Sequence, residues 1–278
     1  MIDPGPVLLP AAMAGGVAIA ATVAIERWGG RLGGLLGTLP STIVPAALGI
    51  AASSPDPADF QVAMWTTPAG MLVNALFLWT WRVVPRRLPP SGNGTRLAAM
   101  IAISMAAWAA AALVSRVGLD QLRRWPDALA TSAVLLTLAL VVVGVAACTS
   151  APPAPKGKQR VGPLTLAARG LLAAVAIGVA VVLAQVGGPI AAGLAAVFPA
   201  IFLTTMVSLW LSQGQAVQIG AVSPMMLGSG SVSAFAVLAA WAVPAMGPAA
   251  GTATAWLGAV GLVTAPAALW LRRRGRTP

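Results

Sequence analysis

The sequence predicts an all-α fold, a polytopic transmembrane helical bundle of about nine spans, and three observations carry that prediction. The chain is 58% hydrophobic and only 8% charged, with a mean hydropathy of +0.88. A water-facing domain carries about 25% charged residues, so this chain has too little polar surface to cover a globule in water. Its apolar segments are rich in Ala, Leu, Val and Gly and mostly exceed the ~18 residues that span a hydrocarbon core. The alternating strands of about ten residues that build membrane barrels are absent. Helices are then the way left to satisfy the backbone in lipid.

Reading apolar runs between charges and Pro/Gly breaks gives spans at roughly 7–25, 32–52, 61–81, 97–116, 128–148, 166–186, 190–211, 217–243 and 250–270. The start, Met1-Ile2-Asp3-Pro4-Gly5-Pro6, has no basic segment before the first apolar stretch, so that stretch reads as a retained span. Two connections are very short, around Gly29-Gly30-Arg31 and at Gly187-Gly188-Pro189, and both read as turns of helical hairpins.

The formal net charge is +11, but the basic residues do not form a patch among aromatics, which argues against nucleic acid. They sit in short runs between spans, as cytoplasmic loops do. An N-terminus outside places 14 of the 17 basic residues on one side: Arg27 and Arg31; Arg82, Arg86, Arg87 and Arg96; Lys156, Lys158, Arg160 and Arg169; and Arg272, Arg273, Arg274 and Arg276. The expected setting is a bacterial inner membrane, crossed several times, with the N-terminus outside and the C-terminus cytoplasmic. Arg116, Arg123 and Arg124 fall outside, in a stretch that also holds Leu119, Asp120, Trp125 and Asp127. That stretch reads as an interfacial turn with local ion pairs and a Trp anchor, or as a vestibule attracting anions.

The chain has no His and no Tyr, which removes the commonest acid–base and metal-ligating side chain. The spans hold no paired acids, so neither a metal site nor a cofactor is expected, and the chain is not expected to be an enzyme. The lone Cys148 reads as a small packing residue.

The main organisational signal is an internal repeat. Gly29-Gly30 matches Gly187-Gly188; Leu39-Pro40 then matches Phe198-Pro199, and Thr67-Pro68 matches Ser223-Pro224. Trp79 or Trp81 corresponds roughly to Trp241. The expected units are a first repeat over 1–126 (spans one to four), a connector with cytoplasmic linker over 127–165, and a second repeat over 166–278 (spans six to nine). Five crossings separate the two starts, and an odd number reverses direction, so the repeats are inverted. Inverted repeats are a signature of secondary transporters, with the binding site near the midplane between the halves.

The stretch Ala192-Gly193-Leu194-Ala195-Ala196-Val197-Phe198-Pro199-Ala200, with the hydrophobic span after it, resembles the GlpM-type family of small bacterial inner-membrane proteins. Gly34-Leu35-Leu36-Gly37-Thr38-Leu39-Pro40 looks like a looser copy. The resemblance implies a duplicated, fused form of a small helical unit. The family offers no substrate or catalytic residues to carry over.

Three places invite a site. Glu26, beside Arg27 where span one ends, is either an interfacial ion-pair partner or a coupling carboxylate. Span eight covers 27 residues, about 40 Å at 1.5 Å per residue, against a core of about 30 Å. Its middle carries Gly228, Ser229, Gly230 and Ser231, with Pro224 one turn earlier; this reads as a weakened, ligand-accessible helix or as close packing through small residues. The matching stretch of the first repeat holds Pro68, Gly70 and the amide of Asn74. Hydroxyls follow the repeat prolines, Thr38, Ser41 and Thr42 around Pro40 and Thr204 and Thr205 after Pro199; they re-satisfy kinked backbone or converge on a central cavity. Such a lining suits a small neutral or anionic polar solute. The expected function is a secondary transporter or facilitator. The alternative is a membrane subunit that scaffolds a partner complex, and in either case a homo-oligomer or a membrane partner protein is compatible.

Overall fold

The computed structural model describes residues 4–28, 39–54, 56–90, 92–150 and 162–274, and among these every regular element is helical. In chain order they are α1 (Gly5–Trp28), α2 (Ile43–Ser53), α3 (Pro57–Val83, extended by a 3₁₀ turn Val84–Arg86), α4 (Asn93–Leu122) and α5 (Pro126–Thr149). After the linker come α6 (Pro163–Val186), α7 (Pro189–Ala196), α8 (Ala200–Gln213), α9 (Gln215–Met246), α10 (Pro248–Ala259) and α11 (Ala265–Arg274). Among the described residues, seven rods are long and apolar enough to cross a membrane: α3, α4, α5, α6, α7 with α8, α9, and α10 with α11. Gly5–Ala20 and Ile43–Ser53 are shorter apolar helices. They lie where spans one and two were expected.

Local chemistry sets the boundaries. Pro stands in the first turn of α3, α5, α6, α7 and α10, where a missing N–H costs nothing. Asp56 caps α3 by accepting from the Ala58 amide at 2.8 Å. Gly188, Gly214 and Gly247 precede α7, α9 and α10 at φ of 81–82°. Left-handed backbone of that kind is strained for side-chain-bearing residues, which is why glycine makes these sharp reversals.

Two departures from the sequence reading concern helix continuity. Span two is interrupted: Leu39–Thr42 form a turn, and α2 begins after it at Ile43. Span seven is broken, with Val197, Phe198 and Pro199 lying between α7 and α8. By contrast α9 runs unbroken for 32 residues through Pro224 and its Gly/Ser segment. Small residues there let neighbours approach closely rather than melting the helix.

The centre of the bundle is the pair α3 and α9. Their spans are 78% and 72% buried, against 17% for α4 and 28% for α5. They run antiparallel: Gln61 Nε2 donates to the Ala240 carbonyl (3.1 Å) at one end, and Gln218 Nε2 donates to the Trp81 carbonyl (3.3 Å) at the other. The pair α1 and α6 is antiparallel too, since Gly15 faces Gly170 while Gly178 faces Ala11 and Val7. No hydrophobic drive joins helices in lipid, so close van der Waals packing and buried hydrogen bonds must hold them. α5 illustrates this: a Cβ on Gly144 would stand 2.5 Å from the Leu227 Cα of α9. Cys148 packs beside that contact, on the small cluster Leu227, Ala267 and Leu271.

Arg82 fastens the end of α5 to this centre. Its guanidinium donates to the Ala147 carbonyl (3.1 Å), the Ser223 hydroxyl (3.1 Å) and the Ser150 carbonyl (2.6 Å), and lies 5.0 Å from the Trp79 ring centre. In Arg82→Ala, amide exchange across the last turn of α5 should rise roughly tenfold, the equivalent of one net hydrogen bond. Hydrogen–deuterium exchange of the detergent-solubilised protein reads this directly; unchanged exchange would show the turn holding without Arg82. Toward the C-terminal end of α4, Arg116 and Asp120 pair at 3.9 Å one helical turn apart, and Trp125 beyond the helix is exposed.

Candidate functional site

The rod α7–α8 is interrupted inside the bundle at Val197, Phe198 and Pro199, and its surroundings are built in detail. Proline removes a backbone donor, so carbonyls in the preceding turn lose their helical partners. Around Pro199 the Ala200 amide donates back to the Phe198 carbonyl at 2.8 Å. Around Pro40 the Ser41 amide donates back to the Leu39 carbonyl at 2.7 Å. The same two-residue turn thus recurs at the two aligned prolines, and both prolines are buried.

The Val197 carbonyl, freed by the break, is met by Asn74 of α3. Asn74 is 1% exposed. Its Nδ2 donates to that carbonyl at 2.7 Å, and its Oδ1 accepts from the Trp108 indole of α4 at 2.8 Å. Trp108 also packs edge-on against Phe198, with ring centres 5.1 Å apart. One amide therefore ties three rods together at the break. Below it, α7 lies directly on α3: a Cβ on Gly193 would overlap the Thr66 hydroxyl and the Ala63 carbonyl, and one on Gly70 would overlap Val197. Thr66 and Thr67 both donate to the Ala63 carbonyl, at 2.9 and 3.0 Å, which takes up an acceptor one turn before Pro68.

The other residues singled out in the sequence are placed as follows. Thr204 donates to the Ala200 and Ile201 carbonyls (2.9 and 3.1 Å), and Thr205 to Ile201 (2.7 Å), so both back-bond within α8. Ser41 donates to the Leu39 carbonyl at 3.3 Å and lines an open groove of about 470 Å³ with Val44, Thr252 and Trp256. Thr42 is the residue before α2 and its side chain makes no cap. Neither Thr204 nor Thr205 lines that groove, so the two hydroxyl clusters do not share it. Ser229 donates to the Met225 carbonyl within α9 (2.9 Å), while Ser231 accepts from Thr264 (2.7 Å) and donates to the Ala259 carbonyl (3.4 Å). Gly230 faces Val141 and Val263, and Gly228 is buried in the same helix. The Gly/Ser segment therefore meets α5 and the π turn Val260–Thr264 as a packing surface. Thr38 and the Glu26 side chain lie outside the described residues. Among those residues no cluster of His, Cys, Asp or Glu could hold a metal ion.

Gln218 is not among the residues singled out in the sequence, and Trp81 is marked there only as a repeat counterpart of Trp241. Both are 0% exposed, and Gln218 Nε2 contacts the Met206 sulfur at 3.3 Å besides the Trp81 carbonyl. Trp81 packs edge-on against Trp210, at 6.1 Å between ring centres. The signal that could have found them is the glutamine six residues before Pro224, matched by Gln61 seven residues before Pro68. No family model, no curated protein and no solved structure matches the chain.

Proposed function

We propose that the chain is a secondary transporter or facilitator for a small polar solute, working by alternating access between two inverted repeats, spans one to four and six to nine. The single observation that carries this reading is the pair of proline-centred breaks, at Leu39-Pro40 and Phe198-Pro199, with the same amide-to-carbonyl turn in each. Broken helices inside a membrane are tolerated where backbone groups meet protein partners or line a pathway. The arrangement of the halves adds support. Under the repeat, α1 corresponds to α6 and α3 to α9, and each of these pairs runs antiparallel in contact. A twofold axis in the membrane plane passing between the halves produces that crossing. The resemblance to the GlpM-type unit fits a duplicated origin, and the basic residues favour an inner membrane with the C-terminus cytoplasmic.

A scaffolding membrane subunit is the second reading, favoured by the closely packed Gly/Ser surface of α9. Purified protein in liposomes separates the two. Stopped-flow light scattering should report entry of uncharged polar solutes above the rate of empty vesicles. Equal rates for every solute class tested, with a partner protein copurifying, would replace transport by scaffolding.

A further inference from the structure

The antiparallel pair α3–α9 carries a glutamine and a tryptophan at each of its ends. At one end Gln61 reaches from α3 to the Ala240 carbonyl of α9, beside Trp65, which packs edge-on against Trp241 at 6.4 Å. At the other, Gln218 reaches from α9 to the Trp81 carbonyl of α3, beside Trp210. The indole N–H groups of Trp65 and Trp81 have no hydrogen-bond partner, nor has Gln218 Oε1. Buried polar atoms are paired in more than nine cases in ten, and an orphan calls for a reason. Here an orphan donor on Trp81 and an orphan acceptor on Gln218 lie on two residues that are themselves joined by a hydrogen bond.

We propose that Trp81 and Gln218 form the inner solute-contact site, with Gln61 and Trp65 as its outer counterpart. The ligand class is a small uncharged solute whose hydroxyl or carboxamide both accepts from the indole and donates to the amide. This rests on the transport reading and sharpens its substrate class from neutral or anionic to neutral. An anion would need a cation, and Arg82, next to Trp81 in the chain, already donates to Ala147, Ser150 and Ser223. A cation would need an acid, and α3 and α9 carry none beyond Asp59 in the first turn of α3. The rings of Trp81, Trp210 and Phe77 supply apolar faces for the carbon skeleton of such a solute. The two ends differ in access: Gln61 is half-buried and Gln218 fully buried, so this conformation is closed at the Gln218 end.

The test uses the whole protein labelled with 5-fluorotryptophan, the Trp81 resonance being assigned by its loss in Trp81→Phe. Titrating glycerol and acetamide should move the Trp81 signal, and acetate should not. No movement, movement with acetate alike, or an equal drift of all tryptophan signals would overturn the proposal. In liposomes, Gln218→Met and Trp81→Phe should each slow acetamide and glycerol entry about tenfold, one neutral hydrogen bond. Wild-type entry rates in both variants would also overturn the site. A moved Trp81 signal with no flux in the wild type would remove transport while keeping the binding site, so the two readings fail separately.

Discussion

Gly193→Ala should leave little folded protein. The added methyl would overlap the Thr66 hydroxyl and the Ala63 carbonyl of α3, and a backbone carbonyl cannot swing aside as a flexible side chain can. Overpacking costs roughly 1–3 kcal/mol and more where backbone must shift, so the upper end of that range applies here. The effect reaches beyond one contact, because α7 lies on α3 through this glycine and through Gly70 against Val197 and Leu194. Denaturation in mixed micelles, followed by tryptophan fluorescence, should show a destabilised protein or none at all. Gly118→Ala is the control, since its added Cβ meets nothing within 4 Å; matching curves for the two variants would contradict the close α3–α7 approach.

Asn74→Leu carries the second large effect. The variant strands two groups at once, the Val197 carbonyl and the Trp108 indole. Each orphaned buried group costs about 1–3 kcal/mol, so a loss of about 2–6 kcal/mol is expected from the same assay. Trp108→Phe strands only the Asn74 oxygen and keeps an aromatic face toward Phe198. It should fall between wild type and Asn74→Leu. An order in which Trp108→Phe is the worse of the two would mean that ring packing, rather than the amide, holds the break closed.

The sequence made the rods legible because membrane solvation acts on local composition. Every rod longer than twenty residues falls on an apolar run, and Pro or Gly marks most of the ends. It made Asn74 legible as an intramembrane amide, yet not its role. Its partner carbonyl lies 123 positions away and becomes an acceptor only because Pro199 breaks the helix. The Gly/Ser segment of α9 shows the opposite case. Glycine and serine weaken a helix in isolation and also let helices approach in lipid, and only the neighbours Gly144, Val141 and Val263 decide between these outcomes. Nothing local marks Gln218 as buried, since it stands near a span end; its burial follows from α3 covering it. Thr204 and Thr205 had two readings, and α8 supplies acceptors for both hydroxyls within one turn.

The central claim is that the two halves face opposite ways, and side-specific labelling of single cysteines tests it most directly. Cys148 is the chain's one cysteine, so Cys148→Ser gives a clean background. Ala58 in the first turn of α3 and Ala216 in the first turn of α9 lie near matching ends of the two repeats, as do Arg87 beyond the end of α3 and Met246 at the end of α9, and all four are exposed. With a membrane-impermeant maleimide on intact cells, Ala58→Cys and Met246→Cys should label at once. Ala216→Cys and Arg87→Cys should label only after permeabilisation. Labelling of both members of either pair from the same side would contradict the inversion.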